Sequence, residues 1–213
     1  MKDTSAELVD KLILRYGYNE PILTDEIRST WSEYSRTRVF QLIKKLTENK
    51  MLQKFDMGVY YVPTSNLSGK QSYLFPRQVI EKKYIRFNDE VYGYYAGLVI
   101  QNSLGLTTQM PVTKEVVTNN ETTRVREVRV GKSKVLLRRS KTHITRENAA
   151  VLQFLDALKE ADEPLDEYQL GRIREFVQQE GIKQADIYKY ANLFPQRAIV
   201  NLRHIGEQNV FAH

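Results

Sequence analysis

The sequence predicts an α+β protein, and three observations carry that expectation. Apolar residues recur at helical spacing through residues 5–49 and again through 146–204. Between these blocks, stretches rich in β-branched residues flank short turns, Asn119-Asn120 and Gly131-Lys132-Ser133, as strands do. A small, polar segment with Pro and Gly, Pro63–Ser72, separates the first block from the rest and reads as a linker. The expected domains are 1–65 and 73–213, the second divided into a helix-plus-sheet part (73–143) and a helical tail (144–213).

In the first domain, Leu8, Val9, Leu12 and Ile13 mark a helix over 5–17, closed by Gly17. Thr24 is placed to cap a short helix, Asp25–Trp31, with acids in its first turn. A third helix runs from Ser35 to about Asn49 on the core stripe Val39, Leu42, Ile43 and Leu46. Its other side carries Thr37, Gln41, Lys44 and Glu48, flanked by Arg38 and Lys45. Leu52–Phe55 and Val59–Val62 then flank Asp56-Met57-Gly58, a hairpin. Three helices followed by a hairpin is the order of a winged helix-turn-helix, whose third helix enters the major groove. Across Arg36–Lys50 there are five basic residues and one acid. Arg and Lys neutralise phosphates, while Gln and Thr read base edges, so the candidate DNA-binding residues are Arg36, Thr37, Arg38, Gln41, Lys44, Lys45 and Lys54. Polar faces of ordinary helices hold the same residue types, and many winged helices serve only as protein contacts.

The second domain opens with a helix at Pro76–Tyr84. From Asn88 to Gly105 the sequence reads as a largely buried central helix: Asn88 as its cap, an apolar arc from Val91 to Ile100, and Gly93 and Gly97 on one face admitting another element. Strands follow at Thr113–Thr118, Thr123–Val130 and Lys134–Arg139, read as a small antiparallel sheet. The segment Arg124–Lys141 holds eight basic residues against one acid. Arg124, Arg126, Arg129, Lys132, Lys134, Arg138, Arg139 and Lys141 form a candidate anion-facing surface, although basic side chains also guard sheet edges. The tail reads as a helical bundle: Arg146–Glu160 capped by Thr145, Glu167–Gln179 capped by Asp166, then helices from Gln184 and Gln196.

Composition narrows the chemistry. The chain has 213 residues, 41% of them hydrophobic, enough for one large domain or two small ones with real cores. Net charge is +6, concentrated in residues 71–160, where 15 Lys/Arg stand against 9 Asp/Glu. That excess favours a polyanionic partner. With no cysteine, there is no disulfide, thiolate zinc site or Cys nucleophile. His143, His204 and His213 are scattered, so no metal site and no cofactor are expected. No Gly-rich phosphate loop or nucleophile elbow occurs, and the adjacent carboxylates Asp89-Glu90 and Asp162-Glu163 suit a helix start and a loop. An enzyme is therefore not expected. The first residues carry acids where a secretory signal needs bases, and the longest apolar run is short for a membrane span, so a soluble cytoplasmic protein without membrane contact is expected.

Tyr92-Gly93-Tyr94-Tyr95-Ala96-Gly97-Leu98, followed by Leu104-Gly105-Leu106-Thr107-Thr108-Gln109 and Pro111, resembles the signature of the AbiEi family. The likeness continues through Glu115–Asn119 and Leu152–Asp156. AbiEi proteins are the antitoxins of bacterial type IV abortive-infection toxin–antitoxin systems. The resemblance implies an antiviral defence antitoxin that counteracts a nucleotidyltransferase-like toxin without a stable complex. It also implies a repressor that binds double-stranded DNA at its own promoter. Because one short recognition helix reads few base pairs, two copies on inverted repeats are expected, the chain being a monomer in solution or a dimer on DNA. The resemblance puts the antitoxin function in the second domain, where the charge census nominates the basic hairpin. A transcription regulator whose C-terminal domain senses a ligand is the alternative, with Tyr92, Tyr94 and Tyr95 as pocket aromatics.

Overall fold

A computed structural model describes residues 3–65, 69–161 and 164–207. His213, the Asp162-Glu163 pair and the middle of the expected linker, 66–68, lie outside the described residues. The fold is α+β. The chain divides into two units, the first reaching Lys82 and including Val130–Lys132, the second made of Lys83–Arg129 and the residues from Ser133 onward.

The first unit begins with α1 (Ser5–Tyr16), whose start is a reciprocal capping box between Thr4 and Glu7. Then come β1 (Ile22–Leu23), α2 (Thr24–Thr30), α3 (Arg36–Glu48), β2 (Gln53–Asp56) and β3 (Val59–Tyr61). The strands form an antiparallel sheet in the order β1-β3-β2, with Ile22 and Lys54 on opposite sides of Tyr60. Leu8, Leu12, Ile27, Trp31, Ile43 and Leu46 close one core, each side chain contributing roughly 1.5–3 kcal/mol by leaving water. Trp31 satisfies its indole by donating Nε1–H to the Leu8 carbonyl at 3.1 Å. Thr24 does not cap α2. Its hydroxyl donates to the Gly58 carbonyl (3.3 Å), while the Glu26 carboxylate takes up the cap position's N–H at Leu23 (2.7 Å).

This unit continues past the stretch expected to be a linker. The Ser72 N–H returns to the Thr64 carbonyl at 2.9 Å, and the Gln71 side chain donates to the Lys50 carbonyl at 3.0 Å. The first two turns of α4 (Pro76–Tyr84) are tied down as well. Gln78 donates to the Asn19 carbonyl at 3.1 Å, and Lys82 pairs with Glu26 at 2.8 Å, so the change of unit falls at Lys82.

In the second unit the expected central helix is absent. Residues 86–96 form β4 (Arg86–Phe87), β5 (Glu90–Val91) and β6 (Gly93–Ala96), and only α5 (Leu98–Ser103) is helical. Asn88 is no helix cap. It sits in the left-handed region (φ +52°) at the turn joining β4 to β5. The two glycines explain the difference. A Cβ on Gly93 would lie 1.9 Å from the Tyr84 carbonyl oxygen, so Gly93 admits passing backbone within a strand. Gly97 (φ +57°) turns the chain from β6 into α5, a conformation that residues with a Cβ rarely adopt.

The remaining elements are β7 (Thr113–Thr118), β8 (Val125–Val130), β9 (Ser133–Arg139), α6 (Ala149–Leu158), α7 (Glu167–Gln179), α8 (Gln184–Ala191) and α9 (Gln196–Glu207). The sheet runs β6-β7-β9-β8 and is mixed rather than antiparallel, because β7 and β9 pair in parallel with β8 at the edge. The register aligns Tyr94, Val117 and Arg138 across three strands. α6 packs on this sheet, its Gln153 side chain donating to the Tyr95 carbonyl at 2.8 Å. The helical tail buries Phe154, Leu155, Leu158, Ile173, Ile187 and Leu202 in its own core.

Candidate functional site

α3 presents the first candidate surface. Ser35 caps it by accepting from the Arg38 N–H at 3.4 Å, and Val39, Leu42, Ile43 and Leu46 bury one stripe. That anchoring fixes the helix about its axis, so Arg36, Thr37, Arg38, Gln41, Lys44 and Lys45 are all exposed. Arg38 donates to Gln41 at 3.1 Å, which holds the two side chains together over one turn. Lys44 approaches Glu48 only loosely, at 3.9 Å, and Lys45 has no partner among the described residues. Phe40 stands among these polar groups, 43% exposed, with the Arg36 guanidinium 6.0 Å above its ring. Phe40 is not among the expected contacts; an aromatic residue lying off the Val39, Leu42, Ile43 and Leu46 stripe was the available signal. Lys54 is exposed on β2, in the same unit. Such a surface offers ammonium and guanidinium groups for phosphates, an amide for base edges and an apolar ring for a thymine methyl.

The basic hairpin gives a mixed result. Arg126 and Arg129 lie on β8, Lys132 in the turn, and Lys134, Arg138 and Arg139 on β9, with Arg124 and Lys141 just outside the strands. Four of the eight cations are engaged locally. Arg126 pairs with Glu121 at 2.8 Å, and Arg138 with Glu115 at 3.2 Å. Arg139 donates to the Thr122 carbonyl at 3.3 Å and Lys141 to the Leu193 carbonyl at 2.7 Å. The Thr123 N–H, the Thr123 hydroxyl and the Arg126 guanidinium hold the Glu121 carboxyl below the usual carboxylate range. Arg124, Arg129 and Lys134, all in the second unit, are exposed and have no partner among the described residues. Free charge on the hairpin is therefore smaller than the census of residue types suggested.

Of the three tyrosines considered as pocket aromatics, Tyr94 lines a cavity in the second unit, with α6 and the 140–142 segment as neighbours. Strand alternation separates it from Tyr95. Among the described residues no group of three or more His, Asp or Glu side chains is placed to hold a metal ion, and no helix is long and apolar enough to cross a membrane.

Residues 29–185 of the chain match a family described as a family of unknown function, DUF6088. No curated protein matches the chain.

Proposed function

We propose that this chain, which belongs to the DUF6088 family, is a DNA-binding repressor that also counteracts a nucleotidyltransferase-like toxin. The observation that carries the DNA-binding half is the α3 surface, with Arg36, Thr37, Arg38, Gln41, Lys44 and Lys45 exposed opposite a buried stripe. Its setting supports the reading: three helices, then the β2–β3 hairpin, with β1 pairing on β3, is compatible with a winged helix-turn-helix. In that arrangement α3 lies in the major groove and Lys54 meets backbone phosphate beside it. One short helix reads few base pairs, so the operator is an inverted repeat in the chain's own promoter, occupied by two copies.

The antitoxin half rests on the resemblance of residues 92–119 and 152–156 to the AbiEi family. In this reading the second unit opposes the toxin through Arg124, Arg129 and Lys134, without a stable complex and without catalysis, in the cytoplasm. A ligand-sensing regulator is the second reading, favoured by the cavity beside Tyr94.

Two experiments test the proposal. Footprinting of the promoter upstream of the chain's own reading frame should show two protected half-sites about one helical turn, or a multiple of it, apart. A single short footprint saturating at one protein per duplex contradicts the inverted-repeat arrangement. Co-expression with the adjacent reading frame should rescue growth. If that frame is not toxic, or toxicity persists, the antitoxin half fails and the ligand-sensing regulator takes its place.

A further inference from the structure

Within the second unit, a cavity of about 90 Å3 lies between the sheet, α6 and the segments 140–142 and 193–195. At roughly 10–15 Å3 for each water position, it has room for several waters, or for a flat ring of comparable bulk. Two of its polar side chains, Asp156 and Tyr94, belong to buried residues. Asp156 is 4% exposed and lines the cavity, and its Oδ2 has no hydrogen-bond partner. Tyr94 is 6% exposed and lines it too, and its hydroxyl makes no hydrogen bond among the described residues. Buried polar atoms of folded proteins nearly always find a partner, so Asp156 Oδ2, facing this space, asks for an occupant.

The chemistry around them restricts that occupant. Asp156 Oδ1 already accepts from Lys159 Nζ at 2.7 Å, an ion pair in which both side chains are at least nine-tenths buried. With its charge offset by Lys159, the remaining oxygen suits a neutral N–H donor better than a second ammonium. Burial, with the Asp156 charge adding to it, pushes the Tyr94 phenol well above its usual range, so this hydroxyl stays protonated and can donate as well as accept. Val117, Leu152, Leu193 and Phe194 supply apolar walls for a flat ring. Arg138, Arg139 and Lys141 also line the cavity. Each of them has a protein partner, yet a guanidinium carries five N–H donors and an ammonium three, which leaves donors for an anion.

A buried acceptor, apolar walls and cationic lining together describe one class of small molecule. We infer that this cavity binds a nucleoside monophosphate whose base carries an exocyclic amino group. The amino group donates to Asp156 Oδ2, the base lies against the apolar walls, and the phosphate meets Arg139 and Lys141. Uracil is disfavoured, because its only ring N–H sits between two carbonyl oxygens that the carboxylate repels. The inference does not depend on the DNA-binding or antitoxin reading.

Isothermal titration calorimetry on the full chain tests it, with AMP, CMP, GMP, UMP, free amino acids and inorganic phosphate as probes. At least one of AMP, CMP and GMP should bind about tenfold or more tightly than UMP and phosphate. Tyr94→Phe, which keeps the ring, should weaken that binding about tenfold, as should Arg139→Ala. Asp156→Asn, provided circular dichroism shows it folded, should erase the preference over UMP. Absence of binding by all four nucleotides overturns the inference. So does tighter binding of an amino acid than of any nucleotide, or affinity unchanged in both Tyr94→Phe and Arg139→Ala.

Discussion

Arg126 covers Glu121: their side chains pair at 2.8 Å, and the Glu121 side chain beneath is only 2% exposed. A cation that looks, from the sequence, like part of a solvated basic hairpin is in fact the lid on a buried carboxylate. Arg126→Ala should therefore destabilise the fold by about 1–3 kcal/mol, the cost of stripping a partner from a buried charged group. Chemical denaturation measures it.

The same carboxylate sets a pH dependence. Its folded pKa is lowered, so its contribution is present above the unfolded carboxylate value, about 4.3, and is lost as pH falls through the lower folded value. Wild type should be more stable than Glu121→Gln at neutral pH. The gap between their melts should shrink in acid, below about pH 4.

Gly93→Ala tests the close approach of passing backbone to β6. Against the Tyr84 carbonyl oxygen, 1.9 Å from the added Cβ, it should destabilise by about 3 kcal/mol or more, or prevent folding. A thermal melt gives the sign.

Charge reversal sorts the hairpin. Arg124, Arg129 and Lys134 have no local partner, so changing all three to Glu should leave the melt nearly unchanged while abolishing rescue from the toxin. Reversing Arg138, paired with Glu115 at 3.2 Å, should also lower stability and so cannot isolate function. Full rescue by the triple variant would reduce the hairpin to a solvated edge.

These outcomes trace where the sequence was legible. Ser35 and Asp166 mark the starts of α3 and α7, and α1 and α3 announce themselves by apolar stripes that bury one face each. The region around Tyr92–Leu98 does not. β6 is covered on both faces, which erases alternation, and a short apolar run reads equally as helix or strand. Two glycines and three tyrosines within six residues were the available warning, since glycine is costly in a helix and tyrosine favours strands. The parallel pairing of β7 with β9 joins residues that no local pattern links. Asp156 was invisible as a buried group because it lies one turn beyond Leu152 at a position where an exposed acid reads equally well. On α3, the outward residues followed directly from its core stripe, and Phe40 was the exception.

The central claim is that α3 meets DNA phosphates and base edges, and the salt dependence of binding tests it most directly. The measurement is a set of binding isotherms for the full chain on its own promoter at several salt concentrations, for wild type, Lys44→Ala and Gln41→Ala. Wild-type log K should fall linearly with log salt, with a slope smaller in magnitude by about 1 in Lys44→Ala. Gln41→Ala should retain the slope and lose discrimination between operator and unrelated duplex. A wild-type affinity indifferent to salt, or a Lys44→Ala slope equal to wild type alongside unaltered discrimination in Gln41→Ala, would contradict the account.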